Sequence, residues 1–415
     1  MAPSPPPPTL TGPEGSAWAP LRNRRFALLW AIWVGANICS WMTEVTAAWL
    51  MTSLTSSALM VSLVQTASTL PVFLLSLPGG ALADQVNRRN ALIAAQTWLA
   101  VVAGLVVTLA QAGRLTPWWL LALTFASGMA AAVRWPVFTA LVPEVVSRSQ
   151  LAPAMTLHAM AVNTARVLGP VLAGLAVAAA GTTSVFAAVC VLSLVSAGLL
   201  ARWAYAPSAR PEPRPALGPA IMAGLRHVLG RHRMRAVLVQ SALVYMAVTT
   251  LLALLPLVAQ SLRPGDASLY VNLAASAGLG AVFAGPLLHR LRRRYATQAL
   301  VTGAMLVLAA AIAGVALARH PTLVAGLLFL AGGSWLATGN TLNVTLQREL
   351  TDDLRARGMS IFLMTVMAGG ALGSAVFGTV ADLTGVHGAL LAMAAKVVAG
   401  ALTLKSRWPI DEPSA

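Results

Sequence analysis

Segments at roughly 26–50, 58–83, 91–112, 117–141, 151–180, 183–203, 235–259, 269–288, 296–318, 322–346, 356–382 and 386–404 each hold about 20 mostly apolar residues, the length a helix needs to cross the hydrocarbon layer. No feature constrains the fold more. Inside lipid every backbone N–H and C=O must find its partner within the protein, which leaves helices and closed barrels. The runs are too long, and too rich in Ala and Leu without alternation, to be barrel strands. The expected fold class is therefore an all-α membrane protein with twelve transmembrane helices. Composition agrees: 58% of the 415 residues are hydrophobic, 10% are charged and the mean hydropathy is +0.75. A soluble chain of this length needs more charge to coat its surface, so the apolar surplus must face lipid.

The formal charge of +16 comes from 28 Lys+Arg against 12 Asp+Glu. Nucleic-acid binding would gather the bases into one stripe, whereas here they form short clusters between apolar runs. Arg114, Arg263 and Arg319 fall between spans on one side, and Arg134, Arg166 and Lys396 fall within spans. All other bases lie on the opposite side with both ends of the chain, so the positive-inside rule makes both termini cytoplasmic. Residues 1–20, "MAPSPPPPTLTGPEGSAWAP", have no charged n-region or apolar h-region and read as a disordered Pro-rich cytoplasmic tail. Residues 21–203 form an N-terminal six-helix half, 235–405 a C-terminal six-helix half and 406–415 a second cytoplasmic tail. The linker 204–234 opens with helix breakers, then sets Ile221, Leu225 and Val228 on one face beside arginines, the profile of an amphipathic helix on an anionic inner leaflet. Cys39 and Cys190 lie in apolar runs and read as small packing residues.

A 6 + 6 division predicts an internal echo. In "GGALADQVNRRN", Gly80 is followed at +4 by Asp84 and at +8 and +9 by Arg88 and Arg89. In "AGPLLHRLRRRY", Gly285 is followed at the same offsets by His289, Arg293 and Arg294. Both copies sit at the inner end of the second span of their half, as duplication requires. The first copy matches Gly, Asp and the closing bases of the loop signature G-x-x-x-D-[RK]-x-G-[RK]-[RK], with Gln85 and Asn87 replacing a base and a glycine. On these residues the chain resembles the major facilitator superfamily, most closely the branch of enterobactin and macrolide exporters. "LRNRRFALLW", "LPGGALADQVNRRNALIAAQ", "ARVLGPVLAG" and "LRARGMSIFLMTVMAGGALGSAVFG" carry that likeness. Gly169, Pro170 and Gly174 resemble the family's antiporter motif, with Ala173 where a glycine is usual. Gly79 and Gly80 allow helices close approach, and Asp84 is placed to meet the positive N-terminal end of a neighbouring helix. The resemblance implies that this neighbour is the eleventh helix, starting near Arg357, and that Gly80, Asp84, Arg88, Arg89 and Arg357 form a latch on the inner side. Read from the residues alone, Arg88 and Arg89 also fit simple positive-inside bases, and Asp84 a solvated loop acid.

Charge at membrane depth costs on the order of 3 kcal/mol on insertion scales, so each case needs a reason. At about 1.5 Å per residue, Glu44 sits roughly 24 Å above the inner edge and Arg166 roughly 22 Å, a matching depth that makes an ion pair plausible. Such a pair either couples to protons by separating, or ties spans one and five together permanently. Asn37 and Trp41 share the face of Glu44, and Asn163 and Pro170 share that of Arg166. Arg134 either snorkels to the inner interface or lines a cavity, and Lys396 reads as snorkelling or packing. Ser334, Thr338, Thr341 and Thr345 form a polar stripe on span ten, and span seven offers Gln240 and Tyr245. The resemblance places spans one, four, seven and ten around a central cavity, which makes Asn37, Trp41, Arg134, Asn163, Gln240, Tyr245, Trp335, Thr338 and Thr341 its candidate lining. Trp30 reads as an interface anchor.

No G-x-x-x-x-G-K-[ST] loop, metal-ligand cluster or Ser-His-Asp arrangement stands out, so neither cofactor nor enzymatic chemistry is expected. The expected function is secondary active export of small amphiphilic organic molecules, of drug or siderophore type, across the inner membrane by alternating access and proton antiport. The expected partners are the small-molecule substrate, protons and the bilayer, with a monomeric chain. A membrane sensor or scaffold that kept the fold, and an uptake carrier, are the alternatives.

Overall fold

The computed structural model describes residues 18–85, 87–203, 226 and 230–410, and of residues 76–85, 352, 353 and 355–357 the backbone without the side chains. The proposed amphipathic helix of the linker and the Pro-rich start of the chain lie outside the described residues.

Ten long apolar helices account for nearly all of the described chain. They are α1 (Arg24–Leu54), α2 (Ala58–Gln85), α3 (Arg88–Gln111), α4 (Pro117–Val145), α5 (Leu151–Arg202), α6 (His232–Leu262), α7 (Ala267–Arg292), α8 (Thr297–Leu317), α9 (Pro321–Glu349) and α10 (Asp352–Arg407). Their starts are written locally. Asn23 caps α1 by accepting from Arg25 N–H at 3.0 Å, and Asp266 caps α7 by accepting from Leu269 N–H at 3.0 Å. Thr116 caps α4 immediately before Pro117, a residue suited to the first helical position.

The 52 residues of α5 and the 56 of α10 would run to roughly 80 Å if straight, more than twice the hydrocarbon thickness. Each is broken. Ala180 and Gly181 leave helical geometry, Gly181 at φ 77°, and Gly385 breaks α10 at φ 80°. Positive φ at these two turns is where glycine is needed. The breaks fall at the junctions expected between 180 and 183 and between 382 and 386.

Packing repeats along the chain. Before Trp203, α1 packs on α5, α2 on α4, and α3 on both α4 and α5; after Arg231, α6 packs on α10, α7 on α9, and α8 on both α9 and α10. Small residues set the close crossings at equivalent places. A Cβ on Gly128 of α4 would lie 2.7 Å from Ser68 O of α2, and one on Gly332 of α9 would lie 1.8 Å from Ala277 O of α7. Such approach is the principal way helices gain contact in lipid. Large apolar side chains that stay exposed, Leu175, Val195, Phe283 and Leu383 among them, face outward from the bundle.

The two sets of helices meet along two seams, α2 against α10 and α5 against α7. The first is an antiparallel zipper near the end of the bundle opposite to the arginine-rich one. Asp382 of α10 accepts from the Ser57 hydroxyl at 2.8 Å, Ala58 N–H at 2.6 Å and Leu59 N–H at 3.3 Å, capping α2 from across the seam. Thr66 bonds Ser374 at 2.7 Å, and Gly378 leaves room for Ser62. Gln260 reaches Thr52 at 3.2 Å, and Trp49 stacks on Tyr270 at 5.6 Å.

Replacing Asp382 with Ala removes three bonds and the cap of α2, and is expected to cost about 1 kcal/mol of stability. Thermal unfolding of the purified protein in detergent should show a lowered midpoint, with a smaller loss for Asp382→Asn. An unchanged midpoint for Asp382→Ala would mean the seam does not depend on this acid.

Candidate functional site

Where the two sets of helices face one another, one arginine is held by aromatic rings from both. Arg166 of α5 lies over Trp335 of α9 with its guanidinium carbon 4.4 Å from the ring centroid, and 5.7 Å from that of Trp41 of α1. Tyr245 of α6 meets Trp335 edge to face at 6.0 Å. Gly339, one turn on from Trp335, has a hydrogen where a Cβ would touch the Tyr245 hydroxyl at 3.3 Å. Cation–π contact of this kind contributes about 0.5–2 kcal/mol, more where water is excluded.

The small residues after Arg166 explain how it gets there. A Cβ on Gly169 would lie 2.3 Å from Trp41 Cβ, and one on Gly174 would lie 2.4 Å from a Val271 methyl group of α7. Gly169 and Pro170 are buried. The stretch expected as an antiporter-like motif thus seats α5 against α1 on one side and against α7 on the other.

The expected contact between Glu44 and Arg166 is not made. The Glu44 carboxylate accepts from the Gln65 amide of α2 at 2.8 Å, and no ion pair joins it to Arg166. The two remain within electrostatic range of each other, as Arg166 does of Tyr245. Matching depth was legible, but helix rotation turned the carboxylate to α2. Gln65, an amide side chain within the second span, was the available signal and was missed.

The span-ten stripe is also corrected. Thr338 and Thr341 are buried at 0% and 3% exposure, and their hydroxyls donate back to Ser334 O and Ala337 O of their own helix at 2.8 and 2.6 Å. Thr341 further accepts from Arg292 of α7 at 3.0 Å. The stripe packs α9 on α7 and does not line an open space here. Gln240 is fully buried and donates to Gln298 at 3.2 Å within the second set of helices. Asn37 is buried and bonded to Trp33 O at 2.8 Å; Asn163 is exposed and bonded to Ala159 O at 2.9 Å.

Arg134 does not snorkel: it is 3% exposed, donates to the Ser40 hydroxyl at 2.8 Å and lies 6.0 Å from the Trp33 ring. His158, which the sequence reading passed over, stacks on Trp33 at 4.7 Å and on Phe138 at 5.3 Å. Trp30 donates to Leu157 O at 3.0 Å and so ties α1 to α5. Lys396 is exposed, with its ammonium 5.7 Å from the Phe377 ring, in keeping with packing.

Of the expected latch, the side chains of Gly80, Asp84 and Arg357 lie outside the described residues. Arg88 pairs with Glu144 and donates to Ala140 O at 3.2 Å, while Arg89 donates to Leu200 O at 2.8 Å and to Ala201 O. Both bases therefore pin the start of α3 to the ends of α4 and α5. No cluster of three or more His, Cys, Asp or Glu suited to a metal occurs among the described residues.

Comparison with known proteins fits this architecture. Residues 15–413 match the family described as transmembrane secretion effector. The enterobactin exporter EntS of Salmonella typhimurium is 26% identical over 362 residues, 85% of this chain and 84% of that protein. Among solved structures, a variant of the nucleoside transporter NupG superposes with a TM-score of 0.78 at 13% identity, over 92% of this chain and 99% of that one. A bacterial homologue of the human lysosomal transporter Spinster, inward-facing and unoccupied, superposes with a TM-score of 0.77 at 15% identity, over 95% and 99%. At such identities the structural likeness establishes the fold alone.

Gly169→Ala would force α5 off α1 at the residue that places Trp41 beside Arg166, and overpacking of this kind costs about 1–3 kcal/mol. Its thermal midpoint should fall, whereas Gly303→Ala, with nothing within 4 Å of the new methyl, should leave the midpoint in place. Equal stability of the two variants would contradict the tight crossing.

Proposed function

The chain belongs to the transmembrane secretion effector family of the major facilitator superfamily, a multi-pass membrane transporter, and from that premise we propose that it exports small amphiphilic organic molecules across the inner membrane. The observation that carries this reading is the group of Arg166, Trp41, Tyr245 and Trp335, built by helices from both sets. A site shared between two bodies changes shape whenever they rock against each other, which is what alternating access requires.

Counting each limb of α5 and α10 as a span gives twelve spans in two sets of six, joined by the linker 204–234. The basic end is cytoplasmic, by the positive-inside rule. Contacts between the two sets, across the α2–α10 seam and between α1 and α6, gather at the opposite, outer end, so the arrangement corresponds to an outwardly closed state. The pairs Ser57–Asp382, Ser62–Gly378 and Thr66–Ser374 keep one antiparallel register. Extended along the two helices, that register sets position 84 level with the start of α10. This supports the inner latch of Gly80, Asp84 and Arg357, with Arg88 and Arg89 as its anchors in the first half. Opening inward then breaks the latch, and opening outward breaks the Asp382 cap.

Energy comes from protons in exchange for substrate, through Glu44. Its carboxyl is half-buried, held by a neutral amide and unpaired with the nearby arginine, so it can gain or lose a proton without dismantling an ion pair. Linkage follows if the two access states differ in proton affinity there. In proteoliposomes, Glu44→Gln is expected to exchange substrate down its gradient while losing accumulation driven by a proton gradient. Full gradient-driven accumulation by a well-folded Glu44→Gln protein would remove Glu44 from the coupling pathway, and absence of flux by the unaltered protein would remove the transport reading.

A further inference from the structure

Among the described residues, Arg166 is a membrane-depth arginine held by rings from both sets of helices and by no ion pair. Arg88 and Arg233 are paired with Glu144 and Glu349, and Arg263 lies 3.8 Å from Asp266, all at helix ends. Arg134, the other arginine at membrane depth, donates to Ser40 and is enclosed within the first set of helices. Arg166 has neither kind of partner. Glu44, which faces the same region from α1, gives its oxygen to Gln65, and the Nε of Arg166 is buried without a hydrogen bond. The guanidinium carbon lies over the rings of Trp335 and Trp41, which satisfy its charge in part, and no hydrogen bond joins its N–H donors to a described residue.

We propose that those donors bind an acidic group of the transported molecule, so that the substrates of this site are flat organic anions. A carboxylate, or another planar or tetrahedral oxyanion, matches the guanidinium fork with two parallel charge-assisted bonds. Trp41 and Trp335 flank that fork and offer ring faces for an attached aromatic system, and Tyr245 sits at the edge of Trp335. The anion supplies the counter-charge that the protein withholds, which is why an isolated arginine can stand at this depth despite its cost. Cations and neutral amphiphiles of the same shape gain nothing from the fork, and a cation meets repulsion. A monoanion leaving a cell would also be driven outward by the inside-negative potential.

The proposal rests on the transporter reading of this site, not on the coupling ion. It is tested by binding alone, in purified protein without any gradient, so its outcome is separate from that of the flux assay. The probes are 2-naphthoate, 2-naphthamide and 2-naphthylmethylammonium, which share a ring and differ in charge, titrated calorimetrically against protein in matched detergent. The naphthoate should bind the unaltered protein at least tenfold more tightly than the amide, and the ammonium most weakly. Arg166→Gln should abolish the preference for the acid, and Arg166→Lys, which keeps the charge but not the fork, should retain a part of it. Equal affinities for acid and amide, no naphthoate binding at millimolar concentration, or an undiminished preference in folded Arg166→Gln protein would each overturn the proposal. The charge series on the unaltered protein decides the matter even where Arg166→Gln does not fold.

Discussion

Hydrocarbon offers no hydrogen bonds, and the structure follows from that one fact. Away from the helix ends, backbone amides are paired along their own helices, and many hydroxyl side chains are drawn into the same economy. Ser241, Thr250, Thr338, Thr345 and Thr379 all donate to a carbonyl one turn earlier. A polar side chain in such a helix is thus no sign of a wet cavity. With hydroxyls spoken for and lipid as apolar as leucine, helices are held together by close approach, and the glycines at the crossings set where the bundle is tightest.

That constraint isolates the groups that the helices do not satisfy themselves. Asp382 spends its carboxylate on another helix's N–H groups across a seam, and Arg166 spends its charge on aromatic rings. One stands at the end of the bundle and the other between the two sets of helices. In the proposed transport cycle, the first belongs to an interface that opens and the second to the space that opening exposes. Gly169 and Gly174 tie the helix of Arg166 to both sets, because α5 presses on α1 through one and on α7 through the other.

Much of the fold was legible because its signals are one-dimensional. The length of an apolar run, a glycine between two runs and the clustering of arginines can each be read without knowing what a helix touches. The junctions read at 180–183 and 382–386 proved to be breaks at Gly181 and Gly385 inside helices that otherwise continue. The site was legible in part. Arg166, Trp41, Tyr245 and Trp335 were among the residues singled out, and the structure gathers all four. Thr338, Thr341 and Gln240 were misread, since periodicity fixes which residues share a face but not which neighbour covers it. For Glu44 the depth was available and the rotation was not, so the carboxylate was assigned to Arg166 rather than Gln65. Asp382 and His158 each lie in an apolar run where one polar residue carries no spacing pattern, and only the packed neighbours give them meaning.

The central claim is that the two sets of helices are separate bodies that close over Arg166 at the outer end and part there during function. It is tested most directly by the distance between spin labels at Ser53 and Ser261, exposed residues beside the Thr52–Gln260 bond, with Cys39 and Cys190 replaced so that no other thiol reacts. In lipid the account predicts a short distance and a second, longer one, with the balance between them moving as pH changes or an organic anion is added. A single short distance that holds under all these conditions would contradict it.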